Sequence, residues 1–320
     1  MEPKFRIAIL DDYQNAALLM ADWSTIERRA SITVFSDHLA DTAQIVARLK
    51  PFDIVCVMRE RTPLSREIIE QLPKLKLIAS TGHINAAIDI KAAEARGVKV
   101  VYTGYTSTPT IELTWALILS SARHIVSENT SLRNGGWQRH VGDDLRDKTL
   151  GILGLGNIGS EVARIATAFG MSVIAWSENL TAEKAAAAGA TLVSKQALFE
   201  RADIVSIHLI LSRRTRGLIG SPELALMKPT AWLINTSRGA IVAEDALIAA
   251  LSDHKIAGAA IDVFDTEPLP PDHPYRKMDN VLATPHIGYV SKGLYQRFYQ
   301  HTVANIGLWL DEQEASSGRI

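Results

Sequence analysis

The sequence holds one cysteine, Cys56, among 320 residues. A lone thiol excludes an internal disulfide and a cysteine-based zinc cluster, and it points to a reducing, cytoplasmic setting. Excess charge of either sign is also missing. Lys and Arg number 34 against 35 Asp and Glu, a formal net charge of −1. Such a balance gives no field to draw in nucleic acid or an anionic membrane surface, so neither is expected as a partner. An anionic substrate has to be captured by local arginines. No apolar run reaches the roughly 18 residues that a membrane span needs. The opening Met-Glu-Pro-Lys-Phe-Arg leads into a short strand-like run and lacks the features of a signal peptide. No metal site is expected.

The most informative feature present is Thr149-Leu-Gly-Ile-Leu-Gly-Leu-Gly-Asn-Ile-Gly159. It reads as a buried strand, a glycine turn and a helix start. Gly154, Gly156 and Gly159 fit the G-x-G-x-x-G turn of dinucleotide-binding proteins. Gly154 allows the tight turn, Gly156 removes a side chain from the path of a pyrophosphate, and Gly159 lets the helix pack closely on its strand. The free N–H groups beyond, from Asn157 and Ile158 onward, face an anion with the positive end of the helix dipole. Glycine turns also occur for structural reasons alone. Here the apolar run 150–155 before the turn and the helical spacing over 161–169 supply the context.

The length suits two domains, each able to bury its own core. Strand-like runs at 6–10, 32–35, 53–57, 75–80 and 98–102 alternate with helical ones at 15–29, 42–49 and 88–96. This alternation implies a parallel sheet with helices on its faces. A long apolar helix over 111–127 and the turn Asn134-Gly-Gly136 break the pattern. A second series then runs through six strands, at 150–155, 172–176, 204–208, 231–235, 257–262 and 281–283, with a surface helix at 182–188. A last helix, 294–310, leaves that series and is placed back on the first domain; the polar tail 312–320 reads as loose. The fold class expected is α/β, with two Rossmann-like parallel-sheet domains. The smaller is discontinuous, 1–103 plus 290–320, and encloses the larger, 104–289.

Ligands of parallel sheets bind outside the carboxyl edge of the strands. Three consecutive strands of the second series end in Asn235-Thr-Ser-Arg238-Gly239, Asp262-Val-Phe-Asp-Thr-Glu267-Pro268 and Thr284-Pro-His286. An arginine, a glutamate and a histidine at one edge suit a carbonyl reduction. A guanidinium can fork onto a carboxylate and polarise the neighbouring carbonyl. An imidazolium can donate the proton as hydride reaches carbon, and a carboxylate can fix that imidazole in one tautomer. Singly, each has an ordinary reading: His286 as a satisfied loop histidine, Arg238 as a locally paired helix-start residue, Glu267-Pro268 as the end of a turn.

These motifs, with His208, make the chain resemble the D-isomer-specific 2-hydroxyacid dehydrogenases, of glyoxylate/hydroxypyruvate reductase or phosphoglycerate dehydrogenase type. The resemblance covers nearly the whole chain. It implies a flavodoxin-like substrate-binding domain, 1–103 plus 290–320, and an NAD(P)-binding Rossmann domain, 104–289, with the active site in the cleft between. It assigns Arg238 to the carboxylate and carbonyl of a small 2-keto acid, His286 to acid/base catalysis and Glu267 to pairing with His286. Asp262 falls beside the nicotinamide, and His208 and Thr236 fall among the cofactor-binding residues. Gly82 and His83 belong to the loop whose backbone N–H groups hold the substrate carboxylate. A homodimer through the nucleotide domains is implied as well.

Departures from the family pattern bear on cofactor and substrate. The usual acidic residue after the second Rossmann strand is Ser177 here, followed by Glu178. Ser177 would accept a 2′-phosphate, whereas a carboxylate binds ribose hydroxyls and repels that phosphate. NAD(H) is therefore favoured, with NADP(H) possible. Ile84 stands where relatives have a second glycine after Gly82, Ile210 replaces a proline after His208 and Leu209, and Ile111 replaces a small residue before Glu112. Arg59 or Arg61 is a candidate for the distal part of an anionic substrate, against an ordinary reading as exposed arginines at a helix start. Trp115, Trp137 and Trp309 read as core or interface anchors. Two other functions stay open: a non-catalytic NAD(H)-sensing partner protein, and a family member with an unusual donor such as formate or phosphite.

Overall fold

Five short apolar runs build the first sheet: β1 (Phe5–Ile9), β2 (Ala30–Val34), β3 (Ile54–Val57), β4 (Leu77–Ser80) and β5 (Lys99–Tyr102). All pair in parallel, in the order β2-β1-β3-β4-β5. That is the flavodoxin-like order. The helices between them are α1 (Ser24–Glu27), α2 (Thr42–Leu49), α3 (Arg66–Glu70) and α4 (Ile90–Ala95), and the last three start at side-chain caps. Asp41, Ser65 and Asp89 accept from Gln44, Ile68 and Ala92. Strands β3 and β4 are buried along their whole length, as expected for a sheet covered on both faces.

The second sheet takes β6 (Thr149–Leu153), β7 (Ser172–Trp176), β8 (Thr191–Leu192), β9 (Ile204–Ile207), β10 (Trp232–Asn235), β11 (Gly258–Ile261) and β12 (Val281–Ala283). Its order is β12-β11-β10-β9-β6-β7-β8, again all parallel. The order reverses between β6 and β9, the place where such sheets bind ligands. Side chains alternate between its two faces. Leu153, Val205, Leu233 and Ala259 join one core, and Ile152, Ile204, Ile234 and Ala260 join the other. Its helices are α5 (Thr108–Ala122), α6 (Ile125–Arg133), α7 (Asn157–Ala168), α8 (Ala182–Ala187), α9 (Lys195–Arg201), α10 (Ser221–Leu226) and α11 (Glu244–Ser252). The final helix, α12 (Lys292–Ser317), returns to the first sheet, where Trp309 meets Phe5 edge to face at 5.1 Å between ring centroids.

This computed structural model describes residues 5–317. The chain divides into two units, Met1–Thr106 with Ser291–Ile320, and Ser107–Val290. No helix among the described residues is long and apolar enough to cross a membrane.

Several expectations are corrected. The helix expected over 15–29 is replaced by a 3-10 turn at Ala17–Leu19 and the short α1. Side chains compete for the backbone there: Asp12 accepts from the Ala16 and Ala17 N–H groups, and Asp22 from that of Ser24. The helix expected over 111–127 begins earlier, at Thr108, and stops at Ala122, whose carbonyl accepts from the Asp143 N–H. His124 then sits at φ +51°, and α6 starts anew. The second sheet has seven strands, because the two-residue β8 has too little apolar pattern to read. Helix α3 carries no long periodic run and was likewise missed. The polar tail is helical through Ser317; Asp311, Glu312 and Glu314 pair with Arg29 and Lys99. Residues 318–320 lie outside the described ones. Trp115 and Trp309 are buried, whereas Trp137 is 74% exposed and no part of a core.

Candidate active site

The glycine turn is built as its spacing implies. Gly154 lies at φ +96°, and a Cβ there would come within 2.8 Å of the His208 carbonyl. The turn at the end of β6 can therefore press against the end of β9 only as glycine. A Cβ on Gly159 would overlap the Gly154 carbonyl, so the first turn of α7 also needs its third glycine. Gly156 differs. A Cβ there meets no protein atom within 4 Å, so packing alone does not demand a glycine. It caps α7 without a side-chain hydrogen bond, so no cap side chain occupies the N–H groups of the first turn, which begins at Asn157 and Ile158. The space a side chain would fill, in front of a helix N-terminus, fits a pyrophosphate.

Neighbouring residues complete this edge. The Trp176 carbonyl at the end of β7 accepts from the Gly154 N–H, which fixes half-buried Ser177 and exposed Glu178 just beyond the turn. His208 ends β9 and its Nε2 lies 2.9 Å from Ser206 Oγ. Burial pushes the imidazole down to about 4, so the ring is neutral at physiological pH. Thr236, just past β10, is buried and its Oγ1 lies 2.9 Å from Thr114 Oγ1 on α5.

Three further groups stand at the ends of β10, β11 and β12, which are adjacent in the sheet. Asn235 orders the arginine loop: its Nδ2 donates to the Arg238 carbonyl at 3.0 Å and its Oδ1 accepts from the Ser237 N–H at 3.1 Å. Arg238 Nη1 donates to the Ser237 carbonyl at 2.8 Å. A Cβ on Gly239 would overlap Phe264, so glycine lets this loop close onto the segment that carries Glu267. Glu267 accepts the Phe264 N–H on Oε1 at 2.9 Å and meets His286 Nδ1 on Oε2 at 2.6 Å. The peptide between Glu267 and Pro268 is cis. Burial draws the Glu267 carboxyl upward, but the hydrogen bond and charge of His286, aided by Arg238, outweigh it and hold it below its ordinary value.

His286 itself sits at φ +52°, on a loop organised by buried Asp262. Asp262 Oδ1 accepts from the Ile287 N–H at 2.8 Å and the Thr284 hydroxyl at 2.6 Å, and Oδ2 from the Gly288 N–H at 2.8 Å. Burial is the largest influence on Asp262 and holds its carboxyl above its ordinary value, despite these donors. Asp262 therefore shapes the loop that presents the imidazole, a role sequence reading had not assigned. Chemically, the edge offers a paired imidazole, a carboxylate that orients it and a guanidinium beside them.

Gly82, His83 and Arg59 lie in the other unit, at the carboxyl edge of its sheet. Gly82 is at φ +86° and its N–H donates to Thr103 Oγ1 at 2.7 Å. A Cβ there would overlap the Arg59 guanidinium, so the glycine makes room for that side chain. Arg59, at φ +53°, is held by its N–H to Thr81 Oγ1 at 2.8 Å and by Asn85 Nδ2 to its carbonyl at 2.6 Å. Its guanidinium lies 5.3 Å from the Tyr105 ring centroid. Arg61 turns inward instead, donating to the Asp11 carbonyl at 2.6 Å and lying over Tyr13. His83 contacts Tyr105, and Ile84 is exposed. Among the described residues no group of three His, Cys, Asp or Glu is placed to hold a metal ion. Cys56 is buried and its thiol is pushed up to about 12, which keeps it unreactive.

Sequence reading missed the residues that hold these loops rather than form them: Thr110, Thr114, Ser206 and Asn85. Thr110 and Thr114 had a faint signal, two hydroxyls one turn apart in an otherwise apolar helix.

Residues 115–288 match the family model for the NAD-binding domain of D-isomer-specific 2-hydroxyacid dehydrogenases. The chain is 36% identical over 293 residues to a hydroxypyruvate reductase of Thermotoga maritima, covering 89% of this chain and 92% of that one. It is 40% identical over 249 residues to a D-3-phosphoglycerate dehydrogenase of Methanocaldococcus jannaschii, 77% of this chain but 47% of that relative, so it spans about half the length of such relatives. A crystal structure of a phosphoglycerate oxidoreductase from Vibrio cholerae superposes with a TM-score of 0.91 at 36% identity, covering 96% of this chain and 99% of the other. Sheet orders, glycine turn and matched length together place the chain in the family of D-isomer-specific 2-hydroxyacid dehydrogenases, oxidoreductases that use a nicotinamide cofactor.

Proposed function

We propose that this protein reduces a small 2-keto acid, glyoxylate or hydroxypyruvate, to the 2-hydroxy acid, with NAD(H) preferred. The observation that carries the reading is the 2.6 Å contact of His286 Nδ1 with Glu267, at a sheet edge that also bears Arg238. With Nδ1–H committed to the carboxylate, Nε2 of a protonated His286 carries the proton for the substrate oxygen. Glu267 fixes the tautomer and stabilises the imidazolium. Arg238 binds the substrate carboxylate and polarises the adjacent carbonyl. Gly154, Gly156, Asn157, Ile158 and Gly159 hold the cofactor pyrophosphate, and Ser177 and Glu178 its ribose. His208, Thr236 and Asp262 border the nicotinamide side. When bound, the nicotinamide supplies the hydride for reduction or accepts it in the reverse direction.

Residues 1–103 plus 290–320 act as the substrate-binding domain and 104–289 as the cofactor domain. Gly82 and His83 take part in holding the substrate carboxylate, His83 through its backbone N–H and Gly82 by shaping the loop, since the Gly82 N–H is given to Thr103. Arg59 is favoured over Arg61 for a distal anionic group, because the Arg61 guanidinium already serves the Asp11 loop. Glu178 is exposed beyond β7, which supports NAD(H) over NADP(H). A reducing, cytoplasmic location is supported by the single buried thiol. Initial rates of NADH and NADPH oxidation against glyoxylate, hydroxypyruvate, pyruvate and bulkier 2-keto acids test the reading. Fastest turnover of a small keto acid with NADH is expected. A preference for NADPH overturns the cofactor choice. Binding of NADH without any turnover favours a sensor, and turnover only with formate or phosphite favours the unusual-donor reading.

The protein is also proposed to be a homodimer through its nucleotide-binding unit. Ile125, Val126, Leu132, Trp137 and Val141 are all more than half exposed along α6 and the loop after it. That loop is folded back onto α6, where Glu128 accepts from the Arg139 and His140 N–H groups and His140 stacks on His124. Exposed apolar side chains grouped in this way mark an interface. Light scattering on the wild type should give twice the chain mass of 35.0 kDa, and Trp137→Glu should shift the population toward monomer. A monomeric wild type refutes the assignment.

A further inference from the structure

Helix α5 carries two buried threonines, Thr110 and Thr114, among residues such as Trp115, Leu117 and Ile118 that pack as core. A buried hydroxyl in such surroundings is costly unless it is hydrogen-bonded. Both are. Thr114 Oγ1 donates to the Thr110 carbonyl at 2.8 Å. Its single proton is thereby used, so in the 2.9 Å contact with Thr236 Oγ1 the Thr236 hydroxyl is the donor and Thr114 the acceptor. Thr110 Oγ1 in turn donates to the Gly288 carbonyl at 3.0 Å. The peptide N–H of Gly288 donates to Asp262, which also holds Ile287. Thr236 stands two residues before Arg238 and Gly288 two residues after His286. One turn of α5 therefore joins the loop of the guanidinium to the loop of the imidazole.

We infer that Thr110 and Thr114 are positioning residues, which hold the Arg238 loop and the His286 loop in a fixed relation through a buried hydroxyl chain. They touch no reacting atom. They set the spacing between the group that fixes the substrate and the group that protonates it. The inference rests on the proposed reaction for its kinetic readout, but not for its structural one.

The test is the pair Thr114→Val and Thr114→Ser, with Thr110→Val as a second variant if Thr114→Val does not fold. Valine keeps the shape and removes the hydroxyl, whereas serine keeps the hydroxyl and removes a methyl group. Positioning predicts that Thr114→Val lowers kcat by about three- to tenfold, the equivalent of one lost hydrogen bond, with the Kd for NADH unchanged. Thr114→Ser is expected to restore most of the wild-type kcat. A packing role predicts the reverse order. Wild-type kcat in Thr114→Val, or an equal loss in the serine variant, overturns the inference. Amide hydrogen exchange of Ile287 and Gly288 needs no turnover and should quicken in Thr110→Val. Unchanged exchange there also overturns it. A wild type inactive on every keto acid would remove the proposed reaction, and the exchange result would still decide on the hydroxyl chain.

Discussion

Replacing His286 by Ala is expected to lower kcat/KM for keto acid reduction by roughly 10²- to 10⁴-fold, the range for loss of a positioned general acid. The Kd for NADH should not change, because the glycine turn at the end of β6 and the α7 N-terminus owe nothing to this side chain. The size of the effect follows from the pairing. Glu267 meets Nδ1 at 2.6 Å and is itself fixed by the Phe264 N–H, so the ring has one orientation and one free nitrogen. The sign of the pH response can be worked out from the same pair. Glu267 is held below its ordinary value, chiefly by His286 against the opposing effect of burial, so the carboxylate persists as pH falls and is protonated only in more acid solution. The imidazole is oriented only while Glu267 is ionised, so kcat/KM should hold as pH falls and drop only in more acid solution. Glu267→Gln has no carboxylate to titrate, and the acid limb of kcat/KM that Glu267 sets should be lost. Undiminished turnover in His286→Ala would refute the assignment. An unmoved limb in Glu267→Gln would remove the carboxylate from it.

Arg238→Lys is expected to cost about 10- to 100-fold in kcat/KM, from loss of a charge-assisted, forked contact. The charge survives in this variant, but the planar pair of donors does not. A lysine cannot hold a carboxylate in a bidentate manner and polarise the adjacent carbonyl as well. The loss should therefore divide between KM, through the carboxylate, and kcat, through the carbonyl. Arg238 also donates to the Ser237 carbonyl, and the backbone of its loop is fixed by Asn235 and Gly239. The loop should thus keep its course in the variant, which unchanged thermal unfolding would verify. Free guanidinium should restore part of the activity of Arg238→Ala. Equal kcat/KM for Arg238→Lys and wild type would show that the arginine does not meet the substrate.

The parts of the fold that were legible in the sequence were those encoded by local period or by steric need. Strands β7 and β12 and helix α2 fell on the expected residues, because the strands are short unbroken apolar runs and α2 has helical spacing after the Asp41 cap. Gly154, Gly156 and Gly159 were legible by their spacing, and at Gly154 and Gly159 close backbone contact supplies the steric reason. What failed depended on side chains that turn onto the nearby backbone or on contacts distant in sequence. Asp12 disrupts the helix expected after β1 only because its carboxylate turns onto the chain that follows. The end of α5 depends on Asp143, far along the chain, reaching the Ala122 carbonyl. Likewise, no motif marks Thr110, Thr114 or the loop-shaping part of Asp262; their meaning lies in the loops that they join. Sequence alone also could not show that the Arg61 guanidinium donates to the Asp11 carbonyl, because the two residues lie far apart in the chain.

The most direct test of the proposed activity is the configuration of the product made from hydroxypyruvate and NADH by the wild-type protein. Consumption of NADH with formation of D-glycerate alone is expected: one imidazole and one guanidinium at a single sheet edge present one face of the carbonyl, and the family match is to D-isomer-specific enzymes. Formation of L-glycerate or of a racemate, or no NADH consumption with any keto acid while NADH still binds, would contradict the account.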